Sequence, residues 1–256
     1  YTGLVTEVFK HQTTFDKLAG NIGIGHVRYP TAGGDNVSEA QPFFTANPVN
    51  ISLAHNGTLT NSEKLKEELI RINFCQFNTN SDSEVLLKQF CYELYKTNFR
   101  KLTKTHVYKA LNNVFQKCSG GYAVVMIVAG IGLVAFRDPK GIRPLSLGKY
   151  KNSYLIASES SAITAMGYNL ESDIKPGQVV IIDEQGNFDK KRPIKGSSNQ
   201  PCLFEYVYFS RPDSTIDEIS VHKSRLRMGD FLGEKILRDF KDLGVDVVIP
   251  VPDTSR

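Results

Sequence analysis

From Gly20 to Tyr29, Ile22, Ile24 and His26 alternate with Gly23, Gly25 and Val27, the period of a half-buried strand that stops at Pro30. A small, polar loop follows from Thr31 to Glu39, and Ile51 to His55 reads as a second short strand. Thr60-x-x-Glu63 then predicts a helix opened by a capping box, with Leu65 and Leu69 turned inward. A second helix is predicted from near Ser81, stacking Leu86, Phe90 and Leu94 at i, i+4 spacing. A third gathers Val107, Leu111 and Val114 and stops at Gly120-Gly121. Beyond Tyr122 the period becomes that of strands: Tyr122 to Val128, Gly132 to Phe136, Tyr154 to Ala157 and Gln178 to Ile182. Strands, helices and strands again predict a layered α+β domain with antiparallel pairing.

The stretch Asp189 to Pro201, rich in Lys, Ser, Gly and Pro, reads as a linker and predicts a boundary, with one domain over 1–200 and the start of another over 201–256. After it come an apolar strand (Cys202 to Phe209), an amphipathic helix through Leu226, Leu232, Ile236 and Phe240, and the run VDVVIPVP. The continuous apolarity of that run suits a strand buried on both faces, the way a parallel α/β domain begins.

Composition narrows the function classes. A length of 256 residues suffices for a well-buried core. The 31 basic and 27 acidic residues are dispersed and leave a net charge of +4, which does not suggest nucleic acid. The longest uncharged apolar run, Tyr122 to Phe136, is broken by Gly130 and Gly132 and is too short for a membrane helix. No secretory pattern opens the chain, so a cytoplasmic location is expected. Cys75, Cys91, Cys118 and Cys202 form no C-x-x-C pair, and His11, His26, His55, His106 and His222 are scattered, so no metal or redox motif is read and each histidine is assigned to core or surface.

Three motifs carry candidate chemistry: GHVRYPT (Gly25 to Thr31), AHNGTLTN (Ala54 to Asn61) and TNSDSEVLL (Thr79 to Leu87). Singly, Arg28 reads as a surface charge, Asn56-Gly57 as a turn and Asp82 as a helix N-cap. The turn reading is the weakest, because a type I′ turn joins two strands and a helix follows here. Together the motifs suit recognition of an amino acid by both charged ends with polarisation of its side-chain amide. The Arg28 guanidinium and Thr31 hydroxyl match an α-carboxylate, and Asp82 matches an α-ammonium. The Asn56 amide and Gly57 N–H match an oxyanion hole.

These motifs, with RDPKGIRPLSLG (Arg137 to Gly148) and LIASES (Leu155 to Ser160), resemble the glutamine amidotransferases whose nucleophile is an N-terminal cysteine. PCLFEYVYFSRPDS (Pro201 to Ser214) and the helix from His222 extend the resemblance to the amidophosphoribosyltransferase family. It implies a four-layer αββα N-terminal-nucleophile glutaminase fold followed by the beginning of an α/β type I phosphoribosyltransferase domain. The implied activity moves ammonia from glutamine to phosphoribosyl pyrophosphate in purine synthesis. A cysteine attacks the amide, its own α-amino group acts as base, and a thioester is hydrolysed.

By motif, Arg28 and Thr31 hold the glutamine carboxylate, Asp82 its ammonium, and Asn56 with Gly57 the oxyanion. Arg28 to Glu39 corresponds to the family's glutamine loop, with Gly33-Gly34 suited to a hinge. A homo-oligomer, and Mg with phosphoribosyl pyrophosphate in the second domain, are also implied; no cofactor is expected in this stretch. In members with an iron–sulfur cluster, a cysteine at the position of Cys202 is one ligand; the other reading of Cys202 is a buried free thiol. Tyr1 to Val5 matches a point inside the family's domain, and no acidic phosphoribosyl pyrophosphate loop is matched. The chain is therefore expected to be truncated at both ends and inactive alone. The competing readings are the glutaminase half of a hexosamine-phosphate synthase, against which FEYVYFSRPDS speaks, and a glutamine-binding module without catalysis.

Overall fold

The computed structural model describes residues 4–28, 37–72, 75–241 and 244–251. Two short helices, α1 (Val5–Val8) and α2 (Gln12–Asp16), precede strands β1 (Phe43–Thr45) and β2 (Ile51–Leu59). Helices α3 (Ser62–Arg71), α4 (Asp82–Tyr95) and α5 (Lys104–Lys117) follow. Next come β3 (Gly120–Val128), β4 (Gly132–Arg137), β5 (Ser146–Tyr150), β6 (Ser153–Ala157), α6 (Ser160–Ala165) and β7 (Asn169–Asp173). The chain continues through β8 (Val179–Ile182), β9 (Phe188–Lys191), a small hairpin of β10 (Thr215–Ile216) and β11 (Ile219–Ser220), and α7 (Val221–Asp239).

The two-residue period of β3 explains the layering. Tyr122, Val124, Met126 and Val128 join the core shared with Leu65, Leu86, Phe90, Leu111 and Val114 of the helices. Ala123 and Val125 face the other way, into a second core with Leu147, Ile156 and Ile174. One face of the antiparallel sheet β1-β2-β3-β4-β8-β9 is therefore covered by α3, α4 and α5. The other face packs on the sheet β6-β5-β7, over which α6 lies with Ile163 fully buried. This is the four-layer αββα arrangement expected from the resemblance.

Helices α4 and α5 and the long strands lie where the pattern places them. Gly20 to Arg28 does not: Ile22, Ile24 and His26 are half-buried in alternation, yet the segment is no strand. Gln41 accounts for this, because its Oε1 accepts the His55 N–H at 2.6 Å and its Nε2 donates to the His55 carbonyl at 3.2 Å. Those are backbone groups that a neighbouring strand would need. The capping box expected at Thr60 is also replaced. Asn61 stands at the cap of α3, and its side chain donates to the Lys117 carbonyl at 2.9 Å and accepts the Ser119 N–H at 3.0 Å, tying the start of α3 to the end of α5.

Cys202 to Phe209 is not the expected strand. A π-helical turn at Glu205–Phe209 buries the adjacent residues Glu205 and Tyr206, which a strand would send to opposite faces. The predicted boundary at 200 is crossed by polar contacts. Cys202 N–H donates to the Ile142 carbonyl at 3.1 Å, Thr215 N–H to Ser160 Oγ at 2.8 Å, and Ser214 Oγ to Glu159 at 2.9 Å. Helix α7 forms as predicted but buries only Val221, and Leu226, Leu232, Ile236 and Phe240 are exposed. The apolar run from Val245 to Val251 forms no strand among the described residues and is exposed as well. No helix among the described residues is long and apolar enough to cross a membrane.

Candidate active site

Asn56 and Gly57 lie within β2, paired with Ala123 and Tyr122 of β3, and not at a turn. Alternation turns Asn56 away from the helices and His55 toward them. Gly57 has φ +145°, and a Cβ there would overlap the Gly121 carbonyl oxygen. The sheet itself therefore requires glycine at this position, in addition to any need for backbone approach to a substrate. The Asn56 amide is held at both ends: Nδ2 donates to Ser158 Oγ at 3.3 Å, and Oδ1 accepts from Arg143 Nη2 at 2.7 Å.

Asp82 is the first residue of α4 and not its N-cap. Ser81 is the cap, its Oγ accepting the Ser83 N–H at 3.3 Å. Freed from capping, Asp82 reaches back to β2, where Oδ2 accepts the Leu59 N–H at 2.8 Å, three residues from Asn56. Its side chain stays 23% exposed at the positive end of the helix, placing a carboxylate where it can receive an ammonium. Behind it is His55, with Nδ1 at 3.0 Å from Ser83 Oγ and 3.9 Å from Asp82 Oδ1. Burial dominates the Asp82 charge and lowers the His55 pKa to about 4, so the imidazole is neutral near pH 7. The sequence reading assigned His55 no part in the site; its neighbours become visible only when α4 is packed on β2.

Arg28 reaches the same region by another route. The His26 ring hydrogen-bonds the backbone of His55, which brings the 20–28 segment against β2; burial, the largest influence, lowers the His26 pKa. The Arg28 guanidinium pairs with Glu39, Nη2 to Oε2 at 2.7 Å, and donates from Nη1 to the Glu39 carbonyl at 3.3 Å. Thr31 and Gly33-Gly34 lie outside the described residues. Neither Asn56 nor Asp82 lines the polar cavity of about 220 Å³ bounded by Glu39, Lys66, Phe77 and Asn80.

Sequence reasoning gave no role to the residues that support Asn56. Asp138, completely buried, accepts four backbone N–H groups, from Tyr122, Lys140, Ile142 and Arg143. Burial nevertheless raises its pKa. Arg137, also completely buried, uses all five donors: Nε to the Arg143 carbonyl, Nη1 to the Ile174 carbonyl and Asp217, and Nη2 to the Gly141 carbonyl and Asp217. These two side chains shape the loop that presents Arg143. The signal in the sequence was a buried-strand run ending in Arg-Asp, a pair that is costly to bury unless fully bonded.

Of the cysteines, Cys91 and Cys118 are buried, and burial pushes their pKa values up to about 12, so they are core thiols and not nucleophiles. Cys202 supplies at most one thiolate, and among the described residues no group of three or more His, Cys, Asp or Glu side chains is placed to hold a metal.

Residues 26–165 match the glutamine amidotransferase domain family. The amidophosphoribosyltransferase of Pseudomonas aeruginosa is 48% identical, covering 99% of this chain and 51% of that protein. Those of Escherichia coli and Saccharomyces cerevisiae are each 46% identical with the same coverage. Two solved structures are each 32% identical. The glutamine phosphoribosylpyrophosphate amidotransferase of B. subtilis, complexed with ADP and GMP, has a TM-score of 0.72 over 90% of this chain and 46% of its own. A structure described as the allosteric regulatory enzyme of purine biosynthesis has a TM-score of 0.78 over 99% of this chain and 51% of its own. The chain spans about half the length of the curated relatives it matches.

Proposed function

The chain belongs to the glutamine amidotransferase domain family, and from that premise we propose that it forms the glutamine-handling part of an amidophosphoribosyltransferase. In this reading the complete enzyme hydrolyses glutamine to glutamate and passes the ammonia to phosphoribosyl pyrophosphate, giving 5-phosphoribosylamine and pyrophosphate, in the cytoplasm. The observation that carries it is the extent of the likeness. Identity of 46–48% runs through 99% of the chain, past the matched domain and through the 201–256 segment. That extent favours this enzyme over a hexosamine-phosphate synthase, and it supports reading 201–256 as the start of a phosphoribosyltransferase domain.

Arg28 and Thr31 bind the glutamine α-carboxylate in this proposal, and Asp82 binds the α-ammonium. A cysteine thiolate attacks the side-chain amide, and the oxygen that gains charge receives hydrogen bonds from Asn56 Nδ2 and the Gly57 N–H. What this chain contributes is orientation and charge stabilisation, which do not depend on a metal.

The test is Asp82→Asn in protein expressed from the complete reading frame, with phosphoribosylamine formation measured from glutamine and from ammonia. The expected outcome is a rise of roughly tenfold or more in glutamine KM, the loss of a charge-assisted contact, with ammonia use little changed. An equal loss with both nitrogen donors would remove Asp82 from the ammonium-binding role.

A further inference from the structure

The orientation of the Asn56 amide is decided by its neighbour. A guanidinium offers only donors, so the Asn56 atom 2.7 Å from Arg143 Nη2 is the oxygen. The amide nitrogen then points the other way, with one N–H spent on Ser158 Oγ at 3.3 Å and one left over. Arg143 is itself tightly constrained. Its N–H donates to Asp138 at 3.1 Å, its carbonyl accepts from Arg137 at 2.6 Å, and its Nη1 forms a 2.7 Å ion pair with the buried carboxylate of Glu205.

We propose that Arg143 is a positioning residue for amide hydrolysis: it locks Asn56 with its N–H groups toward the reacting carbonyl and polarises the amide so that the remaining N–H binds a developing oxyanion more strongly. The inference rests on the oxyanion role proposed for Asn56. The physical content is twofold. A cation on Oδ1 draws density from the amide nitrogen, strengthening its N–H as a donor. An amide held on both atoms needs no reorganisation when charge appears on the substrate. Glu205 belongs to the 201–256 segment, so the donor in one part of the molecule is braced from another.

A structural role alone would make Arg143 a tie between loop and π-turn, and kinetics separate the two. In protein from the complete reading frame, Arg143→Gln is expected to lower glutamine kcat by roughly ten- to a hundredfold, with KM within about threefold and ammonia-dependent turnover within about twofold. Arg143→Lys, which keeps the charge but lacks the planar fork that reaches Asn56 and Glu205 from two separate nitrogens, is expected to fall between wild type and Arg143→Gln. Added to Asn56→Ala, Arg143→Gln is expected to cost less than about a further threefold, because it acts through Asn56. If Arg143→Gln does not fold, Arg143→Lys carries the same cycle. The proposal is overturned if the double variant loses the product of the two single effects, if only KM moves, or if both nitrogen donors suffer alike. An unaffected Asn56→Ala would instead bring down the oxyanion assignment beneath it, and the inference with it. A damaging Asn56→Ala beside an innocuous Arg143→Gln would bring down the inference alone.

Discussion

Asn56 sits inside a nine-residue strand with both amide atoms engaged and a buried ion pair behind its partner. Arg28 lies outside any strand among the described residues, its guanidinium in an ion pair with Glu39. In the proposed function both serve one glutamine site, but the first is held within the sheet and the second pairs locally with Glu39. In the proposed roles, the side assigned to stabilise a short-lived charge is the preorganised one, where a misplacement of even 1 Å is costly. The side assigned to capture and release a ground-state carboxylate carries a partly exposed ion pair, an interaction worth little. Changes at Asn56 and Gly57 should therefore appear in stability and kcat, and changes at Arg28 and Glu39 in KM.

The largest effect is expected from Gly57→Ala. The new methyl group would meet the Gly121 carbonyl of β3 and be forced to φ +145°, so β2 and β3 must separate where Asn56 is presented. A loss of more than about 3 kcal/mol in unfolding free energy is expected, with glutamine hydrolysis abolished. A stable, active variant would show that the sheet does not set the donor. Asn56→Ala comes next, with a fall of roughly a hundredfold or more in glutamine turnover, about 2.7 kcal/mol, and a small change in binding. A variant that lost only glutamine affinity would move Asn56 to the capture side of the comparison.

The same contrast governs what could be read from the sequence. Helices α4 and α5 were legible because Leu86, Phe90 and Leu94, and Val107, Leu111 and Val114, repeat at helical spacing and all face the core. Strand β7 was not, because Asn169, Leu170 and Glu171 are all exposed and no alternation of buried and exposed positions marks them. The alternation at Ile22, Ile24 and His26 gave the burial correctly and the ladder wrongly, since a glutamine side chain had taken the strand's place beside His55. Within the site, Asn56, Gly57 and Asp82 stood in contiguous motifs. Arg143 acts 87 residues from Asn56 and Glu205 another 62 on, so only the packed structure brings them together. A local pattern cannot report a contact made by topology.

His55 offers a test of the sheet side by pH. The unfolded imidazole takes a proton below about pH 6.5, whereas the folded one, held neutral by burial, refuses it until about pH 4. Between those values the unfolded chain binds more protons, so this group makes stability fall as pH falls. Asp138, Asp173 and Glu205, whose pKa values are raised mainly by burial, act in the opposite sense, because their folded forms take up protons first. The informative quantity is therefore a difference. From pH 7 to 4.5, the stability of His55→Asn should gain about 2 kcal/mol on wild type in urea unfolding. Parallel pH profiles would mean that His55 is not held neutral behind Asp82.

The smallest effect, and the sharpest test of the segment side, is expected from Glu39→Gln. Glu39 presents a carboxylate to Arg28 at 2.7 Å, the same chemistry that a glutamine α-carboxylate would offer the guanidinium. If the two compete, removing the charge of Glu39 lowers glutamine KM by roughly two- to threefold and leaves kcat unchanged. The pair is only partly buried, with side chains 29% and 17% exposed, so the stability change should stay within about 1 kcal/mol. The opposite sign is equally informative. A higher KM would mean that Glu39 orients Arg28 for the substrate and does not stand in for it, making the segment side preorganised too and removing the contrast with Asn56.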